Sequence, residues 1–258
     1  MSFVLQPELK SNNKPWKFIQ SLLLLNSKNN KKPKIAIYSA IYGNYDDLKY
    51  IQPKQDMPCD FIMFTDNSQL KQVNQSTWQI KMLNLDKIEH PRMRAKYIKL
   101  NPHLVLPDYD YTIWIDGSVV IRTARFINYI FENFSKRKLI VFKHPERNCV
   151  YKEAEFCKAW PKYKTQKITE QIAYYRSLGY PREHGLSAAT IIFRDNRDKD
   201  VHRFDESWWE ENQNWSYQDQ ISLEYLIWKM NFPVEKILLN LWDNPLIIVY
   251  ALEHKSDQ

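Results

Sequence analysis

Asp116, Gly117 and Ser118 stand directly behind the run Tyr111-Thr-Ile-Trp-Ile115, which is β-branched and aromatic enough to read as a buried strand. A carboxylate at the end of such a strand needs a partner, and a cation is the simplest one. Two more strand-like runs end on polar residues. Lys34 to Tyr42 leads into Gly43-Asn44 and delivers Tyr38, Ser39, Tyr42 and Asn44, and Asp60 to Thr65 leads into Asp66-Asn67. In an open α/β sheet ligands bind outside the carboxyl ends of the strands, so these ends mark a candidate site. The chemistry that suits them is the holding of a diphosphate against a divalent ion. The literal Asp-x-Asp pattern lies elsewhere, at Asp108-Tyr-Asp110 and Asp198-Lys-Asp200. The first precedes its strand, at the amino end, and the second falls in Arg194-Asp-Asn-Arg-Asp-Lys-Asp200, a charged stretch that reads as solvated surface. Asp116 is the preferred acid; a plain Asp-Gly turn is the alternative.

The elements that must position these residues alternate. Trp78 to Leu85 reads as a further strand and Pro91 to Leu100 as a helix with proline in its first turn. On that helix Met93, Tyr97 and Leu100 recur at i, i+4 and i+7, and so do Arg92, Lys96 and Lys99, giving one apolar and one basic stripe. Leu139 to Phe142 is a strand that opens into His144-Pro-Glu-Arg147. Helices are expected over Lys152 to Trp160, Thr169 to Leu178 and Ser216 to Met230, with a strand at Ser187 to Phe193. Ser216 with Asp219 three residues on has the form of a helix cap. Strand and helix alternate without an internal repeat, which argues an α/β fold: a mainly parallel sheet with helices on both faces.

Composition narrows the function. The 258 residues carry 37 Lys plus Arg against 30 Asp plus Glu, a formal charge of +7 that suits an anionic partner. The basic residues are spread along the chain rather than confined to one stripe, which counts against nucleic acid. Four glycines, none beside another, exclude a P-loop or a GxGxxG turn. Cys59, Cys149 and Cys157 form no CxxC pair and read as reduced, buried thiols. No run approaches the ~20 apolar residues of a membrane span, so the expectation is a soluble, cytoplasmic protein. Residues 1–33 read as an N-terminal helical and basic extension to a domain over 34–258. The extension has two readings, a foot on anionic lipid or a helix packed on the body with a solvated linker.

Several blocks in order, Ile37-Tyr-Ser-Ala-Ile-Tyr-Gly-Asn-Tyr-Asp46, Asp60-Phe-Ile-Met-Phe-Thr-Asp-Asn67, Met93-Arg-Ala-Lys-Tyr-Ile-Lys99 and Ile113-Trp-Ile-Asp-Gly-Ser118, resemble the TOD1/MUCI70 glycosyltransferase-like domain family. So do His144-Pro-Glu-Arg-Asn-Cys-Val-Tyr-Lys-Glu-Ala154, Gly185-Leu186 and Asp219-Gln220, and the resemblance spans roughly residues 34–240. It implies a GT-A, Rossmann-like fold and the transfer of a sugar from a nucleotide-diphosphate sugar to a hydroxyl of a glycan or glycoconjugate, as in surface polysaccharide assembly. At matching positions it makes Asp116 the ligand of a divalent metal (Mn²⁺ or Mg²⁺) and of the diphosphate. Ser118 takes the place of a second acid, with Gly117 between them.

Under that resemblance the nucleoside lies on the first strand, with Ser39, Ala40 and Tyr42 near the base and Asp66 near base or ribose. Tyr42 as core packing is the open alternative. Arg94 and Lys99 are the cations for the leaving diphosphate, whereas Lys96 reads as part of a solvated face. His144 meets the acceptor or a diphosphate oxygen and Glu153 points to the acceptor, or else they are a structural histidine and a solvated acid. Arg147 suits a phosphate or a carboxylated sugar. Asp219 is a general base for an inverting transfer, a stabiliser of the oxocarbenium-like centre for a retaining one, or merely a capping residue. Trp208, Trp209 and Trp215 read as packed core ahead of a sugar-stacking platform. A metal-dependent hydrolase acting on a lipid or nucleotide is the competing class; no Gly-x-Ser-x-Gly elbow or His-Glu-x-x-His motif supports it.

Overall fold

The computed structural model describes residues 32–70, 76–134 and 137–250. The expected extension over residues 1–33 lies almost wholly outside them, and so does the lipid contact proposed for it. The body is built on seven strands in the order β3-β2-β1-β4-β7-β6-β8. These are β1 (Ile35–Ile41), β2 (Asp60–Thr65), β3 (Gln79–Met82), β4 (Tyr111–Ile115), β6 (Leu139–Lys143), β7 (Ser187–Asp195) and β8 (Glu235–Ile237). β5 (Val119–Ile121) and β9 (Ile247–Val249) pair separately, antiparallel. β1 runs parallel to β2 and β4, β2 to β3, and β6 to β8, while β7 is antiparallel to both of its neighbours. The sheet is therefore mixed and mainly parallel, a Rossmann-like α/β arrangement.

The helices are α1 (Pro91–Leu100), α2 (Pro102–Val105), α3 (Phe126–Phe134), α4 (Val150–Lys158), α5 (Ile168–Ser177), α6 (Lys199–Asn214) and α7 (Asp219–Lys229). Strand alternation sorts them. Ala36, Tyr38, Ile62, Phe64, Trp114 and Ile192 share a core with Ile98 of α1, Val150 of α4, Ile172 of α5, Phe204 of α6 and Leu223 of α7. On the opposite face Tyr111 and Phe193 receive Phe131 of α3, with ring centroids 4.9 and 5.6 Å away. No helix among the described residues is long and apolar enough to cross a membrane.

Two stretches contradict the sequence expectation, and α3, β5, β8 and β9 have no counterpart in it. The stretch after β7 is not a solvated loop. It begins the 16-residue helix α6, and Asp198 caps it by accepting from the backbone N–H groups of Asp200 and Val201. Ser216 does not cap α7: its hydroxyl donates to Gln171 at 2.7 Å, and α7 starts at Asp219 without a side-chain cap.

The turn after β1 is held by fixed geometry. Gly43 has φ +65°, and a Cβ there would lie 2.6 Å from Pro91 Cβ at the start of α1. Its N–H donates to Asp66 at 3.0 Å. Gly43→Ala combines backbone strain with a clash against a rigid ring, and is expected to cost about 2 kcal/mol or more. Urea denaturation of the two proteins measures it.

Candidate functional site

A cleft of about 560 Å³ opens over the carboxyl ends of β1 and β4. Its floor includes Ala40, Asp116, Gly117 and Ser118, and the basic stripe of α1 (Arg92, Lys96 and Lys99) faces into it rather than into solvent. The apolar stripe of the same helix turns the other way, with Leu100 fully buried. α1 is anchored through a buried chain of contacts. Asp205 of α6 pairs with Arg194 of β7 at 2.8 Å, Arg194 reaches the Tyr38 hydroxyl at 3.4 Å, and that hydroxyl donates to the Lys99 carbonyl at 3.1 Å.

Four charged groups meet at the centre. The Lys99 ammonium, 3% exposed, donates to Asp116 Oδ1 at 3.2 Å and to Asp219 Oδ2 at 2.7 Å. Lys96 reaches the same Asp219 oxygen at 2.6 Å. The Trp114 indole N–H donates to Asp116 Oδ1 at 2.6 Å, and the Trp208 indole fixes the Asp219 carbonyl at 3.0 Å. Burial disfavours the charge on Asp219, but the two ammoniums prevail and hold its pKa at about 2, below the ordinary 3.8. Burial likewise opposes the charge on Lys99, yet Asp116 and Asp219 leave its pKa raised.

A second cluster lies across the cleft. Glu153, 2% exposed, accepts from Arg147 at 2.5 Å and from the Gln218 and Gln220 amides at 2.9 and 3.2 Å. His144 Nδ1 accepts from the backbone N–H groups of Glu146 and Arg147, so its other nitrogen carries the hydrogen when the ring is neutral. Burial lowers the His144 pKa. Arg147 stacks on the Phe156 ring at 4.0 Å. Cys157, beside Glu153, has its thiol pushed up to about 12 by burial and by that acid, and stays inert. The rim is aromatic: Phe156, Trp160, Trp242 and Tyr250 line the cleft with 41–49% of their surface exposed, and Tyr250 stacks on Tyr50 at 4.9 Å.

The sequence-derived residues sort accordingly. Ala40, Lys99, Asp116, Gly117, Ser118, His144, Arg147, Glu153 and Asp219 line the cleft together. Ser39 does not. It is fully buried on the face shared with Ile35 and Ile37, one residue out of phase with Ala40. Tyr42 also borders the cleft but is 2% exposed, packed in the core with its hydroxyl donating to the Leu83 carbonyl. Arg94 and Asp66 pair with each other at 3.0 Å outside the cleft lining, where they lock the Gly43 turn. Lys96, read as solvated, occupies the place expected for Arg94. As free bases none of the three catalytic candidates qualifies: Asp219 is held by two ammoniums, Glu153 is saturated with donors, and His144 Nδ1 is spent on a turn. Trp208 is buried in the core, Trp209 packs edge-on against Tyr97 and Trp215 stacks on Tyr174.

Arg92 and Lys96 are the residues that sequence reasoning set aside, although their spacing with Lys99 was visible. The rim aromatics carried no signal, because nothing in their local sequence separates an exposed ring from a core one.

The donor set at the place expected for the divalent ion is already engaged. Asp116 Oδ1 is shared by an indole N–H and an ammonium, Asp219 is taken by two ammoniums, and Ser118 offers only a hydroxyl. Among the described residues no three His, Cys, Asp or Glu side chains form a metal-holding group. One carboxylate and one hydroxyl beside two ammoniums do not fit a resident divalent ion.

The family described as TOD1/MUCI70, glycosyltransferase-like domain, matches residues 24–246. A curated relative, the probable hexosyltransferase MUCI70 of Arabidopsis thaliana, is 29% identical over 162 residues. The match covers 56% of this chain and 27% of that protein, so the chain corresponds to little more than a quarter of the relative's length.

Proposed function

The chain belongs to the TOD1/MUCI70 glycosyltransferase-like family, and from that membership and the geometry of the cleft we propose that it moves a hexosyl group from a nucleotide-diphosphate sugar to a hydroxyl of a glycan or glycoconjugate. The observation that carries the reading is the juxtaposition of Asp116, at the carboxyl end of β4, with the basic stripe of α1 in one aromatic-rimmed cleft. A GT-A arrangement places a donor at this end of the sheet, with its base over β1 near Ala40. The diphosphate meets cations, and Phe156, Trp160, Trp242 and Tyr250 offer ring faces to the sugars of an acceptor.

The bond changes are those of any such transfer. The acceptor oxygen bonds to the anomeric carbon, the bond from that carbon to the phosphate oxygen breaks with its electron pair going to the diphosphate, and the acceptor's proton passes to solvent. The side chains act on charge. Ammonium and guanidinium groups fixed beforehand in a shielded cleft stabilise the departing diphosphate without reorganising. Asp219, ionised at all working pH values, is a counter-ion that fixes Lys96 and Lys99. Glu153 holds Arg147 over Phe156 in the same way.

Purified protein incubated with a panel of UDP- and GDP-hexoses, with and without short oligosaccharides, tests the proposal through release of the nucleoside diphosphate. One donor is expected to turn over, and an oligosaccharide that accepts the sugar should raise the rate by about tenfold or more, since orientation of both reactants lowers the barrier. Hydrolysis of a lipid ester or amide, or of a free nucleotide, with no sugar nucleotide consumed would overturn it in favour of a hydrolase.

A further inference from the structure

We propose that the basic stripe of α1 (Arg92, Lys96 and Lys99) is itself the seat of the donor's diphosphate and supplies there the positive charge that a divalent ion would otherwise bring. The inference rests on the reading of the cleft as a glycosyl-transfer site and goes further, to which groups bear the leaving group's charge. All three residues line the cleft, at i, i+4 and i+7 of one helix.

Donor accounting sets their roles. An ammonium has three N–H groups. Lys99 gives one to Asp116 and one to Asp219, so most of its capacity is committed to acids. It stands between two carboxylates, where a cation linking them would stand. Lys96 gives one N–H to Asp219 and keeps two, and its side chain is 21% exposed against 3% for Lys99. Arg92 has no acid partner among the described residues. Its guanidinium lies over the Tyr45 and Tyr217 rings at 5.2 and 5.7 Å and donates once, at 3.4 Å, to the Tyr45 hydroxyl. Along the helix, then, the cations run from committed, at Lys99, to uncommitted, at Arg92. The uncommitted donors are the ones an anion can take. A planar fork at Arg92 suits bidentate contact with one phosphate group, and a two-donor ammonium one turn away can take a second. The acids behind them fix the ammoniums and spare the cleft two unpaired buried charges.

Calorimetric titration of the full chain with UDP and with GDP, first in EDTA and then with Mn²⁺, decides the matter. One nucleotide is expected to bind in EDTA, with Mn²⁺ changing its Kd by less than about threefold. Arg92→Gln and Lys96→Met should each weaken binding in EDTA by about tenfold, the loss of one charge-assisted contact or about 1.4 kcal/mol, whereas Lys96→Arg keeps most of it. Arg92 bridges no acid, so Arg92→Gln keeps the test alive should Lys96→Met fail to fold, as circular dichroism would show. Binding that appears only with Mn²⁺, or Arg92→Gln binding as tightly as the parent, overturns the proposal and leaves the glycosyl-transfer reading standing. No binding of either nucleotide in any condition, together with no turnover of a nucleotide sugar, overturns both.

Discussion

Asp116→Asn should lower transfer by about a hundredfold or more, the scale on which a single preorganised electrostatic group at a reacting centre contributes. The carboxylate does two things at once. Its Oδ1 holds the Lys99 ammonium at 3.2 Å and the Trp114 indole at 2.6 Å, and it puts a negative charge at the carboxyl end of the central strand. The amide keeps the shape but loses the charge that orients Lys99. Stability should fall by about 1 kcal/mol, because the Asp116 side chain is 37% exposed and water screens its charge, while the buried Lys99 ammonium keeps Asp219 at 2.7 Å as its counter-ion. In a chain of this size that is a shift of about 2–4 °C in Tm. Asp108→Asn is the control, since Asp108 is exposed at the amino end of β4, and both kinetics and Tm should match the parent. Steady-state rates and thermal melts of the three proteins check the set. Equal activity losses in both variants would break the argument from strand ends, and loss of the fold in Asp116→Asn would make the acid structural.

How far the sequence could be read depended on which signal each residue left. Strands β2 and β4 and helix α1 were legible to the residue, because apolar runs bounded by Asp, Asn or Pro have no other reading. The carboxyl-end rule then brought Asp116 to the cleft floor. Errors of phase came next. Ser39 and Ala40 are neighbours, yet only one faces the cleft, and strand alternation gives two sets without saying which face carries the ligand. On α1 a choice between Arg94 and Lys96 is a choice of two residues, some 200° around the helix; spacing gave the stripe, but only packing against α6 and β1 says that the stripe turns inward. α6 itself was hidden by its charges. Lys199-Asp-Val-His-Arg-Phe-Asp-Glu206 looks solvated, yet Asp205 is fully buried because Arg194, eleven residues earlier, meets it there. Pairing of opposite charges across the core leaves no mark in a hydrophobicity pattern. The same applies to Asp219: a serine three residues before an acid suggests a cap, while the lysines that hold it lie 123 and 120 residues away.

Asp219→Asn should be the most damaging single change to stability, and its cost should depend on pH. The carboxylate is 5% exposed, pairs with Lys96 at 2.6 Å and shares Lys99, at 2.7 Å, with Asp116. Removing the acid from such a group leaves uncompensated buried charge, at a cost of about 3–5 kcal/mol. The sign of the pH dependence follows from the pKa, held at about 2 in the folded state against an ordinary 3.8. A carboxyl depressed by folding contributes stability that is fully present above its unfolded pKa and is lost as pH falls through the folded one. The window therefore runs from about pH 4 down to about pH 2, and a displacement of nearly two pKa units corresponds to about 2 kcal/mol. Urea denaturation of parent and variant at pH 7, 4 and 3 gives the difference directly. It should be largest at pH 7, hold to about pH 4 and shrink by pH 3, because only the parent has a carboxylate to protonate. A difference that stays constant over the range would mean that Asp219 is held by shape and not by charge. Lys96 would then have no fixed counter-ion and Lys99 only Asp116, and the cationic stripe on which transfer depends would need another explanation. Lys96→Met added to Asp219→Asn sharpens the result. Removing the ammonium that Asp219→Asn strands should recover part of the lost stability without restoring transfer, which separates what the cluster does for the fold from what it does for the diphosphate.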